Sequence, residues 1–264
     1  MRKWLKISLW IVFLIGVIVL SISAAKVEQS KPLDQPEISL EVQNGVALLT
    51  EEELLRALQM EQLVKDEMIK SDIDIKGMES FLESLNEIET ADVFMELGSK
   101  WHIKVKTRLP IARIVMNNGD GFYIDNRSKV MSISPYAKPK ILAFTGMEAV
   151  FGQGVNLNEI INNDSLKTIL KLDQIYRISN YVCNSAFYDA QIVQVHYDKE
   201  EGFILVPRVG KHEVIFGSAA SKEQVENKFE KLTTFYEEVI PFEGWNKYKS
   251  INLKFENQIV AKKN

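Results

Sequence analysis

The chain begins with an apolar run that is long enough to cross a lipid bilayer. Residues Ile7 to Ala25 carry no charge, and three basic residues come before them: Arg2, Lys3 and Lys6. At about 1.5 Å per residue, a helix of this length reaches roughly 28 Å, close to the bilayer core of about 30 Å. Because positive charge marks the cytoplasmic side of membrane helices, we expect the N-terminus inside the cell and the bulk of the chain outside.

This run divides the N-terminal region into three parts. Residues 1–6 are expected to be a cytoplasmic tail, 7–25 a transmembrane helix and 26–36 a linker, where Pro32 and Pro36 resist helix and sheet. A cleaved signal peptide is the alternative, since small residues stand at the end of the run. The run is longer than the apolar region of about 7–15 residues in signal peptides, so an uncleaved anchor is favoured.

Residues 37–107 follow a pattern typical of a small α+β domain. Ile38 to Val42 alternate apolar and polar positions, which predicts a strand. Thr50 and Glu53 form a capping-box pattern ahead of an amphipathic helix. A second helix is predicted from apolar residues at helical spacing, namely Met78, Phe81, Leu82 and Leu85. Two strand-like segments follow, so the predicted order is strand, helix, helix, strand, strand.

Residues 108–264 predict a larger mixed β domain with two amphipathic helices. The helices span about Asp164–Cys183 and Lys222–Val239, where apolar residues recur every three or four positions. Alternating segments around them predict strands. The last predicted strand is Ser250–Val260, with apolar residues at Ile251, Leu253 and Phe255. The fold class expected for the whole chain is therefore α+β.

The composition of the chain argues against several classes of function. The net charge is −4 with both signs mixed along the chain, whereas nucleic-acid-binding proteins carry a basic face. Cys183 is the single cysteine, so no internal disulfide forms, and on an apolar helix face it is expected to be a small core residue. The three histidines lack the spacing of metal ligands, so neither a metal nor a cofactor is expected. The sequence also lacks a nucleophile elbow and a clear pair of catalytic acids.

Several short segments are informative when taken together. They are Leu109–Ile114, Tyr123–Asp125, Val130–Ser134, Thr145–Gly146, Val206–Gly210 and Gly244–Tyr248. In this order and spacing, behind an apolar anchor, they resemble the FtsQ/DivIB family of bacterial cell-division proteins, in the form found in Bacteroidetes. The resemblance extends over essentially the whole chain.

The resemblance implies a fold and a role. The implied fold is one transmembrane helix in the cell inner membrane, followed in the periplasm by a POTRA domain over residues 37–107 and a β domain over 108–264. The implied role is that of a non-enzymatic divisome scaffold, which links early and late division proteins during septation. The implied partners are FtsB/DivIC-like and FtsL-like proteins, with the peptidoglycan synthase complex reached indirectly.

The last predicted strand is the candidate site for partner binding. A terminal strand can form a sheet edge to which a partner adds its own strand. By the resemblance, three residues fall on partner-contact positions: Lys254, Phe255 and Asn257. The further candidates on and beside this strand are Trp245, Tyr248, Ile251, Leu253 and Ile259. Phe255 fits a partner anchor and a core residue equally well.

Two other functions remain as alternatives. The first is an exported enzyme that acts on the cell envelope, although the sequence supplies no recognisable catalytic motif. The second is a POTRA-type protein of outer-membrane assembly or secretion. Such proteins usually carry repeated POTRA units, and the sequence shows no long internal repeat.

Overall fold

The structure is a computed structural model, and it describes residues 2–45, 47–96, 98–117, 119–133, 138–147 and 164–264. Ser134, which belongs to one of the segments quoted above, lies outside the described residues. The chain divides into two compact units. The first combines Met1–Gln43 with Leu49–Thr107, and the second combines Asn44–Leu48 with Arg108–Asn264. The predicted α+β class, with an apolar N-terminal helix and a large sheet-rich part, is confirmed.

The N-terminal helix α1 runs from Arg2 to Gln29. Its segment Trp10–Gln29 is long and apolar enough to cross a membrane, and none of that segment is buried against the protein. The expected linker over residues 26–36 is corrected at its start, because the first four of these residues are helical. Nothing in Lys26 to Gln29 breaks a helix, and the first proline comes only at Pro32.

The first unit carries a three-stranded sheet and two helices. Their bounds are β1 Glu37–Glu41, α2 Glu51–Met60, α3 Ile75–Ser84, β2 Ile88–Met95 and β3 Trp101–Thr107. The strand order is β1-β3-β2, with β1 parallel and β2 antiparallel to the central β3. Because a parallel pair needs a crossover connection, α2 and α3 lie between β1 and the β2–β3 hairpin in the chain. This is the element order that the hydrophobic pattern predicts.

The capping signal that the sequence shows in the first unit forms the expected hydrogen bonds. Thr50 accepts a hydrogen bond from the Glu53 N–H, while the Glu53 carboxylate accepts one from the Thr50 N–H at 2.7 Å. This capping box begins α2 at the predicted place. The unit then closes around a single core to which both helices and all three strands contribute, including Leu54, Leu58, Met78, Leu82, Val93 and Trp101.

The second unit is built on one large mixed sheet. Its strands are β4 Pro110–Met116, β5 Gly121–Asp125, β6 Val130–Met131, β7 Leu142–Met147, β8 Ile192–Asp198, β9 Gly202–Pro207, β10 Glu213–Gly217, β11 Tyr248–Asn252 and β12 Val260–Lys263. Within the described residues the order is β12-β11-β10-β9-β8-β7-β4-β5-β6. The pairs β4–β7, β7–β8 and β10–β11 are parallel, and the others are antiparallel.

The helices of the second unit differ from the two that the sequence predicts. They are α4 Asp164–Ile169, α5 Leu172–Cys183, α6 Ala186–Gln191, α7 Lys222–Glu238 and α8 Ile240–Glu243. The first predicted helix is broken because Lys171 takes a left-handed conformation, with φ of 53°. Ser185 then caps the additional helix α6. The second predicted helix ends one residue early. The short α8 follows from Ile240, with Pro241 in its first turn, where a helix needs no N–H donor.

One face of the large sheet holds the core. Strand residues such as Phe144, Val195 and Phe216 are fully buried in the same cluster as Ile175 of α5 and Phe229 of α7. On β8, β9 and β10 the alternate positions point to the opposite face and are mostly half-buried or exposed. At β5 and β6 the opposite face is covered by a small cluster of Leu48, Tyr123 and Met131. The sheet therefore has one face closed by helices and two ends where strands lack a neighbour among the described residues.

Candidate functional site

The C-terminal end of the sheet is formed by β11 and β12, which pair in antiparallel fashion. The predicted strand Ser250–Val260 is therefore wrong as a single element. It consists of the end of β11, a connection over residues 253–259 and the first residue of β12. The Asn252 side chain ends β11 by accepting a hydrogen bond from the Lys254 N–H at 2.9 Å, a local bond that competes with continued pairing.

The direction of main-chain groups at this edge follows from two hydrogen bonds. The Leu253 N–H donates to the carbonyl of Ile215 on β10 at 2.9 Å, so by strand alternation Ser250 and Asn252 turn their groups toward β12. At the other end, the Asn264 N–H donates to the Lys247 carbonyl at 3.1 Å. The pairing of β11 with β12 shifts its register between Tyr248 and Ser250, so on β12 both bonds place Val260, Lys262 and Asn264 with their main-chain groups toward β11.

The residues of β12 consequently divide into two sets. Val260 and Lys262 pair with Asn252 and Ser250 and turn their main-chain groups inward. Ala261 and Lys263, which alternate with them, point their N–H and carbonyl groups away from the sheet. Since no strand follows β12 in the described part of the chain, these groups form an open edge that another strand can join.

Three of the predicted site residues lie in the core and are not accessible to a partner. Ile251 and Leu253 are fully buried, and Tyr248 packs its ring against Phe235 with centroids 5.2 Å apart. Trp245 is partly buried and stacks near His212, at 6.2 Å between ring centroids. These four residues support the position of the edge strand.

The other predicted residues lie on the connection and not on a strand. Phe255 is 45% exposed, so its side chain does not pack in the core. Lys254 forms an ion pair with Glu201 at 2.8 Å, and Asn257 is exposed. Ile259, just before β12, packs partly against the core. These residues thus lie on the connection between β11 and β12, which leads into the edge strand.

Two lysines of α7, which sequence reasoning missed, hold this region in place. Lys231 donates to the carbonyls of Phe255 at 2.8 Å and Glu256 at 3.0 Å, across the connection. Lys228 is buried and donates to the carbonyls of Phe216 at 2.8 Å and Ser218 at 2.6 Å. Burial lowers the pKa of Lys228 to about 8, and it also lowers the pKa of Lys231. The signal available in the sequence was that Lys228 stands among the apolar positions of the predicted helix.

The second unit also has a concave surface, which lies between α5 and the first turns of α7. It is an open groove of about 750 Å³. Its charged groups pair with each other, Asp173 with Arg177 at 2.9 Å and Lys222 with Glu226 at 3.6 Å. The groove therefore presents no unbalanced charge to a ligand.

Among the described residues no cluster is suited to metal binding, and burial disfavours the reactive form of Cys183. No cluster of three or more metal-ligating side chains occurs among them. Burial raises the pKa of the Cys183 thiol, which makes the reactive thiolate scarcer at neutral pH. His212 is buried with its Nε2 at 3.0 Å from the Tyr236 hydroxyl, and burial lowers the pKa of the imidazole.

The fold and this edge define a class: an α+β protein with an apolar N-terminal helix and a large sheet domain whose C-terminal edge strand is open within the described residues. The chain belongs to the FtsQ/DivIB, C-terminal related family, whose model matches residues 109–262, more than half of its length. This membership relates the chain to bacterial cell division. No curated protein sequence matches the chain.

Proposed function

We propose that this protein is a non-enzymatic scaffold of the divisome, which joins early and late division proteins during septation. The observation that carries the proposal is the open main-chain edge of β12, in a sheet domain that belongs to a cell-division family. Strand addition supplies affinity through main-chain hydrogen bonds, and it needs no catalytic group. Purified protein is accordingly expected to release no fragments from peptidoglycan.

The arrangement along the chain supports the proposal. Residues 1–6 are assigned to the cytoplasm, 7–25 to the inner membrane and the rest to the periplasm. The first unit has the β-α-α-β-β order of a POTRA domain, with the strand order β1-β3-β2, which supports a POTRA domain over residues 37–107. Residues 108–264 are the β domain. The proposed partners are FtsB/DivIC-like and FtsL-like proteins, through which the peptidoglycan synthase complex is reached.

Proline substitution at Ala261 tests strand addition directly. Ala261 turns its N–H outward, so proline removes a donor to the partner and leaves the β11–β12 bonds of Val260 and Lys262 intact. Full-length chain in nanodiscs should bind the extracytoplasmic segment of the FtsB/DivIC-like partner at least about tenfold more weakly with Ala261→Pro. Ala261→Ser, which keeps the N–H, is the matched control and should bind like the parent.

Phe255 is the side chain beside the edge that is best suited to anchor a partner. It is an aromatic residue that remains 45% exposed, and interface hot spots favour aromatic residues. Phe255→Ala should weaken binding by about 2 kcal/mol, or roughly thirtyfold, while circular dichroism stays unchanged. If Ala261→Pro and Phe255→Ala both remain folded and bind normally, the partner uses another surface and the proposal fails.

A further inference from the structure

Positive charge is concentrated at the C-terminal edge of an otherwise acidic protein. Residues 247–264 contain a single acidic residue, Glu256, and five lysines: Lys247, Lys249, Lys254, Lys262 and Lys263. Their side chains carry a formal charge of +4, whereas the whole chain carries −4. The described structure places these residues on β11, on β12 and on their connections.

Carboxylates of the same unit balance only part of this charge. Glu201 pairs with Lys254 at 2.8 Å, and Glu243 is shared by Lys247 at 3.8 Å and Lys263 at 3.7 Å. Neither Lys249 nor Lys262 has a carboxylate within ion-pair distance among the described residues. The outermost strand therefore carries an unneutralised cation beside its open main-chain edge.

The strand register shows what surrounds Lys262. Ser250 lies directly beside it on β11, and Glu213 follows on β10, two strands further in at about 9.6 Å by ordinary strand spacing. Val260 lies two residues before Lys262 on β12, so its side chain points to the same face of the sheet, and it is 46% exposed. Val260 ends a row across four strands that runs through Asn252 and Ile215 to Ile204.

We propose that the strand which joins β12 is acidic, with a carboxylate beside Lys262 and an apolar side chain two residues away beside Val260. The inference rests on the proposed function, and it adds the chemistry of the partner. Residues directly opposite on neighbouring strands are in side-chain contact, and opposite charges there are favourable. The apolar neighbour would extend the row that ends at Val260.

The same charges argue against a second copy of this chain as the occupant. A symmetric antiparallel pair of β12 strands centred on Lys262 would set the two copies of this lysine directly opposite each other. Like charges on adjacent strands are destabilising. A partner with carboxylates removes this repulsion and neutralises the cation that Glu201 and Glu243 leave unpaired.

Charge reversal at Lys262 tests the proposal. Full-length chain in nanodiscs is titrated with the extracytoplasmic segment of the FtsB/DivIC-like partner at low salt. Lys262→Glu should weaken binding about three- to thirtyfold, since an attraction becomes a repulsion. Lys222→Glu, an equal change of net charge on α7, is the control and should bind like the parent. At 1 M salt, where the screening length is about 3 Å, the effect of Lys262→Glu should shrink.

A compensating substitution in the partner identifies the facing carboxylate. Each acidic residue of the partner segment is changed to lysine in turn, and one such change should restore binding to Lys262→Glu. If Ala261→Pro weakens binding but Lys262→Glu does not, the edge is used and the acidic-strand proposal is overturned. If neither variant affects binding, strand addition at β12 fails together with it. If Lys262→Glu acts like Lys222→Glu, the charge at the edge does not select the partner.

Discussion

At the scale of single residues, the second unit depends on a buried ion pair between Arg108 and Asp125. Arg108, just before β4, reaches the Asp125 carboxylate at the end of β5, with 3.2 Å between Nη1 and Oδ2. Asp125 is 1% exposed and also accepts from the Arg127 N–H at 2.9 Å and the Lys129 N–H at 2.7 Å. This carboxylate therefore fixes the β5–β6 turn and the start of β4 together.

Removal of this carboxylate is expected to be costly. Asp125→Ala leaves the Arg108 guanidinium buried without a counter-charge, and breaking a buried pair in this way costs about 3–5 kcal/mol. Thermal unfolding of the detergent-solubilised chain should show a melting temperature lower by about 10 °C. The control Glu226→Ala, which breaks an exposed pair on α7, should change stability by about 0.5 kcal/mol or less. Similar losses in both variants would contradict a structural role for the Arg108–Asp125 pair.

Lys228 predicts a pH dependence of stability. Burial lowers its pKa from 10.5 to about 8. Below pH 8 both the folded and unfolded chains hold the proton, whereas between pH 8 and 10.5 only the unfolded chain does. Unfolding then takes up a proton, so this lysine makes the free energy of unfolding rise with pH, by up to about 1.4 kcal/mol per unit.

The comparison of the parent with Lys228→Met isolates this contribution. Denaturation measured at pH 7.5, 8.5 and 9.5 should show the parent gaining stability relative to the variant as the pH rises. Other lysines titrate in both proteins and cancel in the difference. A difference that stays constant over this range would show that the Lys228 pKa is close to its ordinary value.

At the scale of elements, the edge strand β12 depends on how its connection to β11 is held. Residues 253–259 have no regular strand structure, and the carbonyls of Phe255 and Glu256 accept hydrogen bonds from Lys231 of α7. Lys254 adds an ion pair to Glu201, before β9. A helix on the closed face of the sheet thus determines where the open edge begins.

Loss of the Lys231 ammonium should loosen this connection without unfolding the unit. Lys231→Met removes two hydrogen bonds from a charged donor. Such bonds contribute about 1.5–3 kcal/mol each where water is excluded, and less at this partly exposed site. Amide exchange over residues 254–263 should become faster, while exchange in β8 and β9 stays at the parent rate. Lys222→Met on the same helix is the control. Unchanged exchange over 254–263 would show that the connection is held by its other contacts.

At the scale of the whole molecule, an apolar helix stands at the start of the first of two compact units. The segment Trp10–Gln29 of α1 is unburied, which is the state expected of a helix whose surroundings are lipid. The two units have separate cores, and each is closed by its own helices and sheet. In the proposed function, membrane attachment and partner binding lie at opposite ends of the sequence.

The anchor is expected to stay attached in the mature protein. Mass spectrometry of the chain extracted from membranes should detect peptides that include Arg2 to Lys26, and alkaline carbonate should not release the protein. Three lysines in place of central apolar residues, at Phe13, Gly16 and Leu20, should release it into the soluble fraction, because each costs about 2.5–3.5 kcal/mol in a membrane helix. A mature chain that begins near Ala25 would show a cleaved signal peptide.

The sequence alone was sufficient for several features that neighbours along the chain decide. The uncharged run predicted α1, and the capping box of Thr50 and Glu53 predicted the start of α2. The helical and alternating periodicities predicted the α+β class and most strands, because burial of one face repeats with the geometry of the element. The short segments of the second unit, in their order, indicated the family.

Tertiary structure decided the features that depend on distant residues. Alternation at Ile251, Leu253 and Phe255 looked like one strand, but Leu253 bonds back to Ile215 and Lys231 draws the following residues away. The pairing between β10, β11 and β12 decides which strand is the edge and which of its N–H groups point outward. No local pattern in the sequence encodes this pairing. The Arg108–Asp125 pair was hidden for the same reason: its members meet only when β4 and β5 pair in register, Pro110 opposite Asp125.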